Sequence, residues 1–275
     1  MQNRIISSIV ITGTVLLFPA ALFGQMVQQS AASSAVPDFS GVWTRKAIPP
    51  PSDLPKPGPH SERGAGNPDQ FGFTPEAPSM TAWGKERYAM ARVGRHDPYE
   101  MKVEQPDPEL YPYCLPGGFP RDYTEPFPFR AVQTPDILIM IFEWQQGVRQ
   151  IHLDGRKHVD GAPATFMGDS TAHWEGDTLV VETVNIDEPG WIDNVGHPRS
   201  DALRVVERIR RPDHDTLQVD LTFDDPKAYT KPWSGRKLFR LLPAGTYIGE
   251  VITCEDHFKE MYSEDLKKGK MQGRP

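Results

Sequence analysis

The chain is 275 residues long and carries 30 Lys+Arg against 37 Asp+Glu, a formal net charge of −7. No basic stripe alternates with aromatics on this mildly acidic background, which excludes nucleic acid as a partner. Proline (28) and glycine (23) are abundant, yet the apolar share is 38% and the aromatic share 10%, the make-up of a loop-rich globular protein rather than a disordered one.

Residues 1–24 read as an export signal: Asn3 and Arg4, an apolar run from Ile5 to Phe18, then Pro19, small residues and a cut near Gly24. The rival reading is an uncleaved anchor, since Ile5 to Phe23 is nearly long enough to span a bilayer. Ser7, Ser8, Thr12, Gly13, Thr14 and Pro19 weigh against it. Cleavage implies a periplasmic or secreted protein with no membrane insertion afterwards. An exported chain whose two cysteines are Cys114 and Cys254 most economically pairs them. Closing that loop stabilises by about 4 to 5 kcal/mol in the chain-entropy model. Two buried thiols, or metal ligation by Cys254 with His257, are the alternatives.

Residues 25–36 are small and polar and read as a disordered tether, leaving 37–275 as a single domain. Its first part, 37–128, holds an opening strand at Asp38 to Thr44 and a proline-rich wrap. Pro49, Pro50, Pro51, Pro55, Pro57 and Pro59 force extended chain on a surface. Thr81 to Arg95 is the one convincing helix, with Ala82, Trp83, Tyr88, Ala89 and Ala91 including helical spacings and Gly94 as its stop.

From 129 to 254 the pattern becomes a meander of short strands, followed by a tail over 255–275. The runs are Phe129 to Thr134, Ile137 to Trp144, Val148 to Asp154, Thr171 to Glu175, Thr178 to Ile186, Ala202 to Arg211, Thr216 to Phe223, Arg236 to Leu242 and Tyr247 to Cys254. Tight turns without intervening helices imply antiparallel pairing of neighbours, and about ten strands are best closed as a barrel to remove their edges. A sheet sandwich is the runner-up. Gly176-Asp177 sets one hairpin: Glu175 opposite Thr178 makes Ala172 face Val181 and Trp174 face Leu179, with His173 and Glu182 on the other, outer side.

Phe39-Ser40-Gly41-Val42-Trp43 resembles the Gly-x-Trp opening of the lipocalin or calycin superfamily. The resemblance implies a calycin-like antiparallel barrel in which Trp43 closes one end and packs beneath a late-strand arginine, a role open to Arg240. A wider pattern is similar to a family of uncharacterised secreted bacterial proteins, from which no activity transfers. It comprises Cys114-Leu115-Pro116, the run from Arg149 to His158, WEGDTLVV from Trp174 to Val181, Gly196-His197-Pro198-Arg199-Ser200, Glu207-Arg208, and Asp224-Asp225-Pro226 through Trp233. Arg199 stands where that pattern leads one to expect His or similar before Ser200.

The loop from Asp187 to Asp201 is the first candidate for chemistry. Asp193 and His197 are four residues apart between Gly190 and Gly196, so a carboxylate can hold one imidazole tautomer while the other nitrogen faces a ligand. Trp191 offers a flat apolar wall and Ser200 a hydroxyl. The plain alternative is that Asp193 and Ser200 satisfy loop donors while His197 lies in solvent. Glu207 comes second, because alternation groups it with Leu203, Val205 and Ile209; on an apolar lining, burial raises its pKa toward that of an acid poised near neutrality unless Arg149 or another cation pairs with it. A four-residue loop Pro212 to Asp215 sets Glu207 opposite Asp220 and puts Val206 and Arg208 with Val219 and Leu221. One loop residue more or less reverses which of Glu207 and Arg208 faces inward.

Three functions follow. The first is an exported barrel binding a small apolar or amphipathic molecule, with Trp144, Trp191, Arg149, His158 and Arg208 as binding residues. The second is a cofactor-independent lyase, hydratase or isomerase with His197 as base, Asp193 orienting it and Glu207 as acid. The third is a structural partner using the proline-rich front half as a contact surface. No His-x-x-x-His or HExxH spacing occurs, so a divalent metal requires ligands converging from separate strands, with His158 and His197 the preferred pair. Nucleotide cofactors are excluded by the lack of a glycine-rich phosphate loop.

Overall fold

The computed structural model describes residues 36–46, 72–74, 78–93, 116–188 and 190–251, all within the unit Val36–Pro275. The expected signal, tether and tail, most of the proline-rich wrap and the Cys114–Cys254 pair lie outside the described residues.

Nine strands close into one barrel in chain order: β1 (Gly41–Arg45), β2 (Phe129–Gln133), β3 (Ile137–Phe142), β4 (Val148–His152), β5 (Asp169–Glu175), β6 (Thr178–Val184), β7 (Arg204–Asp213), β8 (Thr216–Asp224) and β9 (Trp233–Leu241). Closure is made by β1 against β9, with Trp43 opposite Leu241 and Arg45 opposite Phe239. A closed sheet has no free edge, and this is why the expected tenth strand does not form in residues 247–251. Val251 makes an isolated bridge to Trp144, and Tyr247 is 83% exposed.

The barrel is mixed rather than purely antiparallel. In a ring of nine strands, alternating direction throughout would leave β1 and β9 parallel, so one parallel contact must appear somewhere. It falls between β4 and β5, through Ile151–Ser170 and His152–Thr171. The connection 153–168 therefore runs the length of the wall: Leu153 donates to the Asp136 carbonyl in the β2–β3 turn (2.8 Å), and Thr165 to the Asn185 carbonyl after β6 (3.0 Å). Sequence pattern sees a crossover through its helix, and here it contains none.

This topology separates two ends. Tight turns gather at one, with Gly176-Asp177 joining β5 to β6 in the register read from sequence, Glu175 against Thr178 and Trp174 against Leu179. Trp43 belongs to this end, fully buried, its Nε1 donating to the Phe39 carbonyl at 2.9 Å. The arginine over its ring is Arg211 on β7, 5.2 Å from the centroid, and Arg240 lies exposed on the outer wall instead. The strand ends joined by the long connections β1–β2, β6–β7 and β8–β9 gather at the opposite end.

The β7–β8 hairpin has a register that the sequence left open. The strands continue to a two-residue turn at His214-Asp215, and a bulge sets two residues between Arg210 and Asp213 against Leu217 alone. Glu207 is thereby opposite Leu221 and Arg208 opposite Asp220, so Glu207 faces the interior with Val205 and Ile209.

The helix α1 (Ala82–Val93) lies at the long-connection end. Thr81 caps it by accepting the Gly84 amide at 3.1 Å while its own amide donates to the Ala228 carbonyl at 3.0 Å. Gly84 permits this approach, because a Cβ there would come within 2.1 Å of the Ala228 carbonyl oxygen.

Candidate functional site

Two buried polar clusters form toward the long-connection end, one inside the wall and one above it. The first centres on Arg149, which the exposed/buried alternation of β4 turns inward. Its guanidinium donates to both carboxylate oxygens of Glu207, through Nη1 at 3.1 Å and through a shorter Nη2 contact. It also donates to the Tyr123 hydroxyl (3.1 Å), Thr183 Oγ1 (2.9 Å) and Ser170 Oγ (3.3 Å). Arg149, Glu207 and Thr183 are 0% exposed and Ser170 and Tyr123 1%, so the charges are compensated by one another and by hydroxyls rather than by water.

Tyr123 reaches this point from a 3-10 turn, Arg121–Thr124. Its ring sits among Phe129, Phe142 and Phe239 with centroids 6.1, 5.9 and 5.5 Å away. Burial, then the Glu207 charge, pushes its hydroxyl well above the usual phenol range. Phe119 lies face-on against the guanidinium, 3.6 Å from Cζ to centroid. Burial works against the charge of Arg149, but Glu207 outweighs it and the guanidinium is held even more firmly protonated than usual.

The second cluster is Asp193 with His197, both 0% exposed. Asp193 Oδ2 lies 2.6 Å from His197 Nδ1, and Oδ1 accepts the backbone amides of Val195 (3.0 Å) and His197 (3.3 Å). The carboxylate thus both shapes the loop and orients the ring. Tyr88 of α1 stacks on the imidazole at 5.2 Å and 6°, and Trp233 closes another side at 5.5 Å, so His197 is far from the solvent-exposed alternative. Burial raises the Asp193 carboxyl, but the His197 charge and the hydrogen bonds from His197 and Val195 outweigh this and leave it below its ordinary value.

The remaining residues separate. Trp191 lies under the Arg121 guanidinium (5.1 Å) and Trp144 stacks on Phe127 (5.0 Å), each with neighbours other than those of Arg149. Arg208 is exposed on the outer wall, bonded to Glu175 at 2.9 Å, and does not line the interior. His158 is on the outer side against Asp169 (3.1 Å). Ser200 is committed to Asp225, donating through its amide and hydroxyl at 2.7 Å each. Arg199 is buried against the backbone carbonyls of Asp187 (2.9 Å) and Phe119 (3.0 Å). His173 and Glu182 face outward, as the hairpin register requires.

Sequence reasoning missed Tyr88, Tyr123, Asp169 and Asp225 as partners. Only Asp225 carried a signal, since it shares a motif pattern with Ser200. Tyr88 and Tyr123 are brought in by connections whose paths no periodicity reveals, and Asp169, which opens β5, meets its partner His158 from the connection before it. Among the described residues, clefts on the outer wall include one of 550 Å³ between Arg130, Ile141, Val148 and Tyr247, and one of 370 Å³ between Arg156, Thr171, Glu182, Arg204 and Val206. Among the described residues no group of three or more His, Cys, Asp or Glu converges as a metal site.

With this geometry in hand, the class that can be stated is a closed nine-strand β-barrel with a buried ionic cluster inside it. Comparison with family models, curated proteins and solved structures gives no match that would narrow it further.

Proposed function

We propose that this chain is an exported barrel that binds a small amphipathic molecule at the long-connection end. The reading rests on one observation: Tyr123, which belongs to no strand, is seated as such a ligand would be. Its apolar ring fills a cage of Phe129, Phe142 and Phe239, and its hydroxyl meets Arg149. Arg149, Ser170, Thr183 and Glu207 converge there from four strands. Stability alone does not ask for this, because a buried ion pair is worth no more than packed hydrophobes of the same volume. A few convergent polar groups in an apolar surround are the usual make-up of a small-molecule site.

In this reading the ligand displaces Phe119 and Tyr123, sets its polar head on Arg149 and Thr183, and leaves its apolar body in the aromatic cage. Titration with fatty acids and aromatic alcohols, followed by melting temperature and tryptophan fluorescence, tests it. Saturable binding is expected, tighter in Phe119→Ala and weaker by about tenfold in Thr183→Val, the worth of one hydrogen bond. Absence of binding by both the wild type and a folded Phe119→Ala overturns it.

A second reading, an acid/base lyase, hydratase or isomerase, is favoured by the 2.6 Å contact that orients His197 on Asp193. Glu207, the acid expected from sequence, is engaged by Arg149 in the other cluster, so His197 and Asp193 carry this reading alone. Turnover that survives His197→Ala rejects it.

A further inference from the structure

Asp169, His158 and Thr171 stand in line on the outer wall. Asp169 and Thr171 are two apart on β5 and share a face, and His158 reaches them from the connection between β4 and β5. Asp169 Oδ2 lies 3.1 Å from His158 Nδ1, and His158 Nε2 lies 3.3 Å from Thr171 Oγ1. The carboxylate is fixed in turn by the Val159 amide (2.9 Å) and by Arg156 Nη2. An acceptor on Nδ1 places the ring proton there and leaves Nε2 to take a proton from the threonine hydroxyl. A hydroxyl within reach of a base that a third group orients is the arrangement of an activated nucleophile.

Access is what distinguishes this set from the two buried clusters. The His158 side chain is 25% exposed, and Thr171 lines the 370 Å³ cleft with Arg156, Arg204, Val180 and Val206. The valines give a short acyl group an apolar wall. Arg156, paired with Asp169, and Arg204, paired with Glu182 at 2.6 Å, set positive charge beside the negative charge that develops on a carbonyl oxygen.

We propose that Thr171, His158 and Asp169 form an acyl-transfer site that takes small carboxylic esters in this cleft. Thr171 Oγ1 attacks the ester carbonyl carbon as His158 Nε2 takes its proton. The tetrahedral intermediate collapses by breaking the bond to the alcohol oxygen, which leaves with that proton. Water, deprotonated by the same nitrogen, then attacks the acyl-threonine, releases the carboxylic acid and restores the hydroxyl. Asp169 holds the ring and its positive charge throughout.

The same contacts also fasten the β4–β5 connection to the wall, so the test must read chemistry rather than stability. The full-length protein is mixed with p-nitrophenyl acetate at mildly alkaline pH, nitrophenolate release is followed, and acetylated peptides are located by mass spectrometry. A burst and an acetyl group on Thr171 are expected. Thr171→Ser retains the adduct, Thr171→Val loses it, and His158→Gln slows acetylation by about 100-fold or more, the usual contribution of a general base. No acetyl group on Thr171 in the folded wild type, or the same rate in folded His158→Gln, overturns the proposal. Either result leaves the ligand-binding reading of the interior untouched.

Discussion

Arg149 and Glu207 meet across two intervening strands, β5 and β6, with neither side chain exposed to solvent. Their pairing is the main electrostatic fact of the interior, and it has an asymmetric energetic signature. Arg149→Met alone strands a buried carboxylate and is expected to destabilise by about 3 to 5 kcal/mol, whereas the double variant with Glu207→Leu recovers most of that loss. Chemical denaturation of the four proteins in the cycle measures the coupling. Equal losses in the single and double variants would show that the pair is not compensating itself.

The outer wall supplies the contrast. Arg208 is half exposed in its contact with Glu175, and such pairs add little to stability. Arg208→Ala is expected to leave the melting temperature unchanged within error, and a large drop would place Arg208 somewhere other than the surface.

Asp193 gives a pH dependence whose sign follows from its lowered carboxyl value. A depressed folded-state value contributes stability that is fully present above the unfolded carboxylate value, about 4. That contribution is lost as pH falls through the lower folded value. Urea midpoints taken on the acid side should fall less steeply with pH in Asp193→Asn than in the wild type. Parallel curves would show that the carboxylate is not held ionised by His197.

Gly84 sets two effects against each other. Alanine there gains about 1 kcal/mol of helix propensity, but its Cβ would lie 2.1 Å from the Ala228 carbonyl oxygen, and backbone cannot move aside as a side-chain tip can. Overpacking of this kind typically costs about 1 to 3 kcal/mol, so Gly84→Ala is expected to be less stable and to shift Tyr88 away from His197. Ring-current shifts of the His197 protons report that displacement.

Much of the barrel was legible because its hairpins are local. Gly176-Asp177 fixed β5 against β6 residue by residue, and the strand count erred only at residues 247–251, where the closed sheet offers no edge. The face of Glu207 was not legible: a single bulge beside Pro212 reverses it, and nothing in the alternation of Val205, Glu207 and Ile209 announces a bulge. Arg149 was one cation the sequence offered for an inward Glu207, beside the alternative of an unpaired acid with a raised pKa, and the structure makes that pair. Tyr123 and Tyr88 were not identified as partners, since both arrive on long connections where contact order, not pattern, decides what touches what. The Asp193–His197 contact was readable from its four-residue spacing, but its burial under α1 was not.

The single parallel contact between β4 and β5 has an evolutionary corollary. Barrels grow or shrink most readily by gaining or losing whole hairpins, which changes the number of strands by two and preserves its parity. Any descendant of this chain reached by such steps inherits an odd ring and with it the obligation to keep one parallel seam. The segment from Leu153 to Gly168, which makes that seam possible, is therefore harder to delete than its irregular course would suggest.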